Sequence, residues 1–239
     1  MGAICRKRSM KSLLITQSNY IPWKGYFDGI NSADEFVIYD DMQYTKRDWR
    51  NRNKIKTAKG AEWLSIPVEV KGKFFQKINE TKISDKDWAR VHWNSIQVNY
   101  AAAPFFKDYK EFFKDLYLGC NEEKLSLINY RFIKAVCDLL EIKTVIRWSG
   151  EFELRGDKSE KLLNICLDAG ADKYFSGPAA KDYMDSALFE SNGIEISWFD
   201  YSGYEEYPQL YPPFDHAVSI IDLIFNTGPD AKKYLKTTV

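Results

Sequence analysis

One short stretch of the chain concentrates positive charge and amide groups. Between residues 46 and 56, six basic side chains stand against one acid, Asp48, with Trp49 among them. Arginine offers a planar fork to phosphate oxygens, and asparagine offers a donor and an acceptor to a sugar or an amide. The segment therefore predicts an anion- and sugar-binding site that contains Arg47, Arg50, Arg52 and Asn53. The alternative interpretation is a solvated basic edge strand.

A second group of polar and aromatic side chains lies in QSNYIPWKGY, residues 17–26, between a predicted strand and a predicted helix. The free N–H groups at a helix N-terminus attract anions, and Pro22 is typical of a first helical turn. The residues expected to contact a ligand here are Gln17, Asn19, Tyr20, Trp23 and Tyr26. Alternatively, these residues form a helix cap, with Trp23 and Tyr26 packed in the core.

Two titratable residues are candidates for catalysis. His92 shares a predicted helix face with Trp88 and Ile96, and an ordinary histidine pKa of about 6.5 suits a general base at neutral pH. A lone histidine on such a face is also typical of a hydrogen-bonded core residue. Asp222 and Asn226 lie one turn apart in an apolar helix, where a carboxylate needs a partner, and Asn226 is expected to contact the ligand. We expect Asp222 either to join the site or to pair structurally, for example with an arginine of residues 47–52.

Further polar residues are predicted to border the ligand. Lys158 lies at a predicted helix start after Gly156, where it could contact phosphate or a carboxylate. Ser176, Tyr183 and Gln209 lie in the segments SGPAAKDY and EYPQLY, in predicted turns and loops. Ordinary capping, turn chemistry and aromatic packing are the alternatives at all of these positions.

Composition narrows the class of protein. The 34 basic and 34 acidic residues balance, which argues against a protein that binds nucleic acid or a membrane through its overall charge. No apolar run approaches the roughly 20 residues that a membrane helix needs. The first nine residues lack the apolar core of a signal peptide, and Met10 resembles a natural start, so we expect a cytoplasmic protein with a head at residues 1–9 that lies outside the fold.

Several well-known chemistries are not indicated. The four cysteines form no CxxC pair, and neither histidine stands at zinc-ligand spacing from them, so we expect reduced thiols and no metal site. The sequence contains no HExxH, GxSxG, Walker or GxGxxG motif. Cofactors are therefore not indicated by the residues themselves.

The elements that must position these residues follow an α/β pattern. A strand, a short helix and the apolar run EFVIYD make a βαβ unit, which brings both polar loops to the carboxyl edge of a mostly parallel sheet. WLSIPVEV, residues 63–70, is predicted as another strand, and residues 85–140 as a helical insertion or cap. The α/β pattern then resumes, and a final helix is predicted within AVSIIDLIFNTG. The expected organisation is a single α/β domain over residues 10–239, with helices flanking the sheet.

Several segments together carry a resemblance to a known family: WRNRNKIK, WLSIPV, HWNSIQVNYAAAPFF, ADKYFSGPAAKDYM and EEYPQLYPPFDHAVSIIDLIFNTGP. From about Leu13 to Pro229, the chain resembles the WbqC-like proteins of bacterial O-antigen and surface-polysaccharide gene clusters. The resemblance adds Asp41 to the residues expected in the site. It also strengthens the expectation that His92 and Asp222 belong to the site. One departure is QSNY, where a proline is expected after the glutamine.

The resemblance implies a role in building or N-acylating an amino sugar. The leading hypothesis is a transferase that moves an acyl or aminoacyl group to a nucleotide-linked or carrier-linked amino sugar, with acyl carrier protein or coenzyme A as donor and His92 as base. The alternatives are nucleotidyl transfer or adenylation in a nucleotidylyltransferase-like fold, and a non-catalytic protein that binds a sugar nucleotide. Pyrophosphate release separates the first alternative from acyl transfer.

Overall fold

A computed structural model describes residues 10–236, and the predicted head at residues 1–9 lies outside the described residues. The described chain forms two compact units from interleaved segments. The sheet unit contains residues 10–16, 33–38 and 144–200, and the helix unit contains residues 17–32, 39–143 and 201–236. Whether they fold as the single domain expected from the sequence stays a prediction.

The sheet unit is built on five strands within the described residues: β1 (Ser12–Thr16), β2 (Glu35–Ile38), β5 (Val145–Trp148), β6 (Lys173–Ser176) and β7 (Glu195–Trp198). Their order is β5-β2-β1-β6-β7, and every neighbouring pair is parallel. The central strand β1 has three consecutive buried apolar residues, Leu13, Leu14 and Ile15, as expected for a strand covered on both faces. The predicted class, a mostly parallel α/β sheet flanked by helices, is confirmed.

Two helices connect the strands of the second half of this sheet. Helix α5 (Lys158–Asp168) joins β5 to β6, and α6 (Ser186–Ser191) joins β6 to β7. Helix α5 begins after Asp157, whose carboxylate accepts hydrogen bonds from the N–H groups of Ser159 and Glu160. Such a cap satisfies N–H groups that have no partner within the helix.

Within residues 10–236, the helix unit contains five α-helices and one two-stranded hairpin. The helices are α1 (Lys24–Asn31), α2 (Trp88–Tyr100), α3 (Phe106–Leu118), α4 (Leu125–Leu139) and α7 (Ile220–Thr227). The predicted helical block at residues 85–140 is thus three helices, separated near Pro104 and in the segment after Gly119. Their buried faces carry the expected apolar stripes, for example Ile128, Phe132 and Val136 of α4.

The basic segment is partly a strand. Arg52–Thr57 forms β3, which pairs in antiparallel register with β4 (Gly60–Ser65) across a two-residue turn. The strand predicted at residues 63–70 is therefore wrong in its bounds, because β4 begins at Gly60 and ends at Ser65. Just beyond the paired residues, the Ile66 N–H still donates to the Asn51 carbonyl at 2.7 Å. At the turn, Gly60 has a φ of +108°, a conformation suited to glycine.

The last helix begins later than its apolar pattern suggests. Its first residue is Ile220, because the Ser219 hydroxyl caps the helix by accepting a hydrogen bond from the Ile221 N–H at 3.3 Å. Every residue of α7 is buried. Across residues 10–236, none of the helices has the length and apolar content needed to cross a membrane.

Candidate functional site

The two polar segments, residues 17–26 and residues 46–56, contact each other within the helix unit. The Tyr20 N–H donates to the Trp49 carbonyl at 3.0 Å, and the Arg50 guanidinium donates to the side-chain oxygens of Gln17 and Asn19. Beneath this contact, the buried Asp40 carboxylate accepts from the Ser18 N–H at 2.8 Å and from the Ser18 hydroxyl at 2.6 Å. The loop at residues 17–22 is therefore held at both its side chains and its backbone.

Asn53 supports the most strained residue of that loop. Its side-chain amide donates to the carbonyls of Tyr20, at 3.1 Å, and Ile21, at 2.8 Å. Ile21 has a φ of +35°, in the left-handed region that β-branched residues avoid. Strain of this kind persists only where surrounding contacts hold it, and it is common near ligand-binding sites. Asn53 therefore maintains the shape of the loop.

A cavity of about 480 Å³ lies beside this loop, within the helix unit. Its aromatic walls are Trp23, Trp49, Tyr201 and Tyr204, and its polar walls are Asn19, Asn53, Ser202 and His216. Pro22, Gly203 and Ala217 complete the lining. Rings on several sides with a few polar groups between them are typical of sites for sugars and nucleobases, which present both a flat face and a polar edge.

Local contacts fix the aromatic walls. The rings of Tyr201 and Tyr204 meet Trp23 edge to face, with centroid distances of 5.5 and 5.4 Å. The Tyr204 hydroxyl donates to the Asp28 carboxylate at 2.6 Å. Gly25 permits this arrangement, because a Cβ there would lie 2.3 Å from the Trp23 ring. The position of the Trp23 indole therefore requires a residue without a Cβ at position 25.

Positive charge adjoins the cavity on the hairpin side. Trp49 contacts Trp63 with ring centroids 5.2 Å apart, and both rings are partly exposed. The Arg52 guanidinium lies 4.0 Å from the centre of the Trp63 ring, and the Lys54 ammonium lies 5.3 Å from it. Cations in these positions are attracted by the ring quadrupole. Arg52 and Lys54 thus stand beside the aromatic wall, where they can meet an anionic part of a ligand.

His216 is the imidazole that lines the cavity. Its Nδ1 is buried and has no hydrogen-bond partner among the described residues, and its ring packs edge-on against Phe214. Burial lowers the pKa of His216 below its ordinary value, and the nearby Lys24 ammonium lowers it further. A neutral imidazole at the wall of a cavity can accept a proton.

Lys24 stabilises the loop that carries Tyr204. Its ammonium donates to the Glu205 carbonyl at 2.6 Å and lies over the rings of Tyr204 and Tyr207, 5.4 and 5.0 Å from their centres. Burial lowers the pKa of Lys24 to about 8. The first residue of α1 is thus tied to the loop at residues 201–216.

His92, the base expected from the sequence, lies in the core of the helix unit. Its Nε2 is 3.2 Å from the Ser65 carbonyl and its Nδ1 is 2.8 Å from the Tyr20 hydroxyl. Because a carbonyl only accepts, Nε2 carries the proton and Nδ1 accepts from Tyr20. Burial lowers the pKa of His92 to about 4. Its catalytic role stays a prediction, but both nitrogens are occupied and the side chain is buried.

Asp222 is also buried, and its partners differ from the expected arginine. Its carboxylate accepts hydrogen bonds from the hydroxyls of Tyr100 and Tyr207, at 2.8 and 2.7 Å, and from the Gln209 amide at 2.9 Å. Burial raises the pKa of Asp222, and these donors oppose the rise. The prediction of an arginine partner from residues 47–52 is wrong, because neutral donors from α2 and from the 201–216 loop surround the carboxylate.

The remaining predicted residues of the helix unit have other neighbours. Asp41 lies 3.4 Å from the Lys77 ammonium and 3.2 Å from the Asn79 amide. The amide of Asn226 donates to the Asp222 carbonyl, and the Tyr26 hydroxyl donates to the Gln17 carbonyl. Arg47 is exposed. None of these four lines the cavity.

Three predicted residues belong to the sheet unit. Ser176 is buried at the end of β6, and Tyr183 is exposed. The Lys158 ammonium lies 5.9 Å from the centre of the Tyr183 ring. A ligand-binding role for these residues stays a prediction.

Sequence reasoning missed several residues that the fold brings to the cavity. Tyr201, Tyr204 and His216 come from a long loop that has no periodicity, so only its abundance of aromatic residues could have indicated them. Among residues 10–236, no three His, Cys, Asp or Glu side chains converge in a way that could hold a metal ion.

Comparison with known proteins agrees with the sequence resemblance. The model of the WbqC-like protein family matches residues 17–234. A protein of Mycobacterium tuberculosis (strain ATCC 25618 / H37Rv), named uncharacterized protein Rv1507c, is 50% identical over 227 residues, which cover 95% of this chain and 98% of that protein. No solved structure matches the chain. The matched region includes every residue that lines the cavity, and the chain belongs to the WbqC-like protein family.

Proposed function

We propose that the cavity holds a nucleotide-linked or carrier-linked amino sugar and that the protein transfers an acyl or aminoacyl group to its amine, in the synthesis of an O-antigen-type surface polysaccharide. The observation that carries the proposal is the cavity of about 480 Å³ that joins four aromatic rings to the imidazole of His216. The family resemblance supports the amino sugar as the class of acceptor.

The walls of the cavity suggest how such a ligand would lie. A sugar ring or a nucleobase stacks on Trp23 or Trp49, and Asn19 hydrogen-bonds its hydroxyl or amide groups. A diphosphate that extends past Trp49 reaches the cations on Trp63, which are Arg52 and Lys54. Arginine is well suited to bind such a group through two parallel hydrogen bonds.

The proposed reaction is an aminolysis of a thioester. The amine nitrogen of the sugar attacks the acyl carbonyl carbon of a donor such as acyl carrier protein or coenzyme A, and His216 accepts the proton that the amine loses. The carbon–sulfur bond then breaks, and the thiolate takes that proton from the imidazolium. The products are an amide and a free thiol, so the reaction needs no oxidant or metal.

Two substitutions test the proposal in the full-length protein. The protein is mixed with amino-sugar nucleotides and acyl thioesters, and the products are identified by mass spectrometry. We expect Trp49→Ala to raise KM for the sugar nucleotide, since base stacking on an aromatic ring contributes about 1–3 kcal/mol, and to leave the fold intact. His216→Gln should lower kcat by about 100-fold or more. Tyr109→Ala, on α3 away from the cavity, is the matched control.

The outcomes separate the hypotheses. Full activity in the His216→Gln variant would exclude His216 as the base, and an unchanged KM in Trp49→Ala would exclude the cavity as the acceptor site. Binding of the sugar nucleotide without any product would support the non-catalytic alternative. Release of pyrophosphate from a nucleoside triphosphate would support nucleotidyl transfer instead.

A further inference from the structure

Two adjacent phenylalanines of the helix unit are almost fully exposed. The side chains of Phe74 and Phe75 are 73% and 83% exposed, whereas most large apolar side chains of the chain are buried. Their rings contact each other edge to face, with centroids 5.0 Å apart. All residues from 71 to 75 are exposed. We call residues 71–75 the aromatic tip.

The base of the aromatic tip is firmly held. The Gln43 amide donates to the Phe74 carbonyl at 2.8 Å, and the Tyr44 N–H donates to the Gln76 carbonyl at 2.9 Å. The Gln76 amide in turn donates to the Glu69 carbonyl at 2.7 Å. The exposed rings are therefore held on a fixed support, which lowers the entropy cost of binding through them.

The surroundings of the aromatic tip are cationic. Residues 43–48 and 69–77 contain five basic and two acidic side chains. Lys73 pairs with Glu69 and Lys77 pairs with Asp41, but Lys46, Arg47 and Lys71 have no ion-pair partner among the described residues. Lys46 and Phe74 line one shallow recess, so positive charge and apolar surface are contiguous.

We infer that the aromatic tip docks the protein on the surface of an anionic phospholipid bilayer. Phenylalanine side chains of a membrane-surface segment bury apolar area at the boundary between headgroups and acyl chains, where they need no matching pocket. Basic side chains around them are attracted to anionic lipids. Lysine and arginine can also place their aliphatic stems along the apolar boundary while their charges stay in water. The aromatic tip offers both properties on one exposed turn, in a chain with balanced charge overall.

Vesicle sedimentation tests this inference. The full-length protein is incubated with vesicles of phosphatidylglycerol and phosphatidylcholine in equal parts, and with vesicles of phosphatidylcholine alone. We expect sedimentation with the anionic vesicles only, weakened by salt. Phe74→Ser with Phe75→Ser should weaken it by about tenfold or more, since burial of apolar surface is lost. Lys46→Gln, Arg47→Gln and Lys71→Gln should each weaken it about fivefold.

The controls change exposed residues elsewhere in the helix unit. Val91→Ser with Val98→Ser removes two exposed apolar side chains from α2, and Lys107→Gln removes a charge from α3; both should bind as the wild type does. Absence of binding to anionic vesicles, or equal binding of the Phe74→Ser/Phe75→Ser variant, would overturn the inference. Binding of an acidic carrier protein that requires the aromatic tip, without vesicle binding, would overturn it in favour of a protein partner. None of these outcomes depends on the proposed reaction.

Discussion

His216 is the residue on which the proposed chemistry depends most. Burial and the Lys24 ammonium both disfavour its charged form, so its pKa lies below the ordinary 6.5 and the ring is neutral at pH 7. A base must be neutral to accept a proton. We therefore expect kcat/KM to be constant around neutral pH and to fall as the pH drops through the lowered pKa.

The pH dependence of a variant checks the assignment. His216→Asn should reduce kcat/KM by about 100-fold or more and should remove the acid limb of the profile. Steady-state rates between pH 5 and pH 8 measure both effects. An acid limb that persists unchanged in the variant would assign it to another group.

Asp28 is expected to make the stability of the protein depend on pH. Burial raises its pKa to about 6, although the Tyr204 hydroxyl partly opposes this, and one carboxylate oxygen, Oδ1, is buried without a hydrogen-bond partner. The folded-state pKa exceeds the unfolded value, so between about pH 4 and 6 the folded state binds more protons. The contribution of Asp28 to stability is thus fully present below the unfolded pKa and is lost as the pH rises towards 6.

Asp28→Asn exposes this effect. The free energy of unfolding of the wild type, measured relative to the variant, should fall between pH 4 and pH 6 by at most about 1.4 kcal/mol per pH unit. Chemical denaturation of both proteins at several pH values gives the difference. A difference that stays constant, or that rises with pH, would contradict the raised pKa.

At the scale of elements, hydrogen bonds join strand β3 and the loop at residues 17–22 into one structural unit. The side-chain amide of Asn53 satisfies two carbonyls of a loop whose Ile21 is strained by about 1–3 kcal/mol. Replacing Ile21 with glycine would relieve this strain but would also lose a fully buried side chain, which costs more. The hydrogen bonds of Asn53 are therefore the better point at which to perturb the loop.

Asn53→Ala should destabilise the protein by about 1–3 kcal/mol, because two buried carbonyls lose their donor. It should also weaken ligand binding, since the loop lines the cavity. Asn51→Ala is a matched control, because the Asn51 amide donates to the Ile66 carbonyl outside the cavity. Calorimetry should show similar losses of stability in the two variants but weaker sugar-nucleotide binding only in Asn53→Ala. If the two variants bound the sugar nucleotide equally well, the loop at residues 17–22 would not be part of the ligand-binding site.

Most helices and strands could be predicted from hydrophobic periodicity and from the residues that start or end them. The strands β1 and β2 and the helices α2 to α5 are long or strongly patterned, and their existence follows from the sequence. The β3–β4 hairpin was harder, because its turn at Ala58 and Lys59 carries no strong turn signal ahead of Gly60. Helix α6 has six residues, too few for a helical period to emerge.

Residues of the candidate site could be predicted from the sequence only where they lie in or next to regular elements. Asn19, Trp23 and Trp49 lie close to the ends of strands or helices, Asn53 lies within β3, and all four line the cavity. Tyr201, Tyr204 and His216 lie in an irregular segment, and local sequence does not determine where such a segment folds. His92 is a different case: its residue type suits catalysis, hydrogen bonds to Tyr20 and Ser65 occupy both of its nitrogens in the core, and its catalytic role stays a prediction.

For the whole molecule, connectivity is the unusual feature. Strands β1 and β2 are neighbours in the sheet unit, yet the chain between them, residues 17–32, belongs to the helix unit. Strands β2 and β5 are also neighbours, and the chain between them includes residues 39–143 of the helix unit. Neither unit is a continuous piece of chain.

This connectivity predicts a single cooperative unfolding transition. If the helix unit unfolded alone, pairing of β2 with β5 would have to close a flexible loop of about 100 residues, at a cost on the order of 4–5 kcal/mol. That cost is a large share of the roughly 5–15 kcal/mol by which domains are stable. Phe132 is fully buried in the helix unit, so Phe132→Ala should destabilise that unit by about 3–5 kcal/mol. Hydrogen exchange in increasing denaturant should show the amides of β1 and β2 losing protection together with those of α2 and α4. Sheet amides that keep their protection in Phe132→Ala would instead show that the units unfold independently.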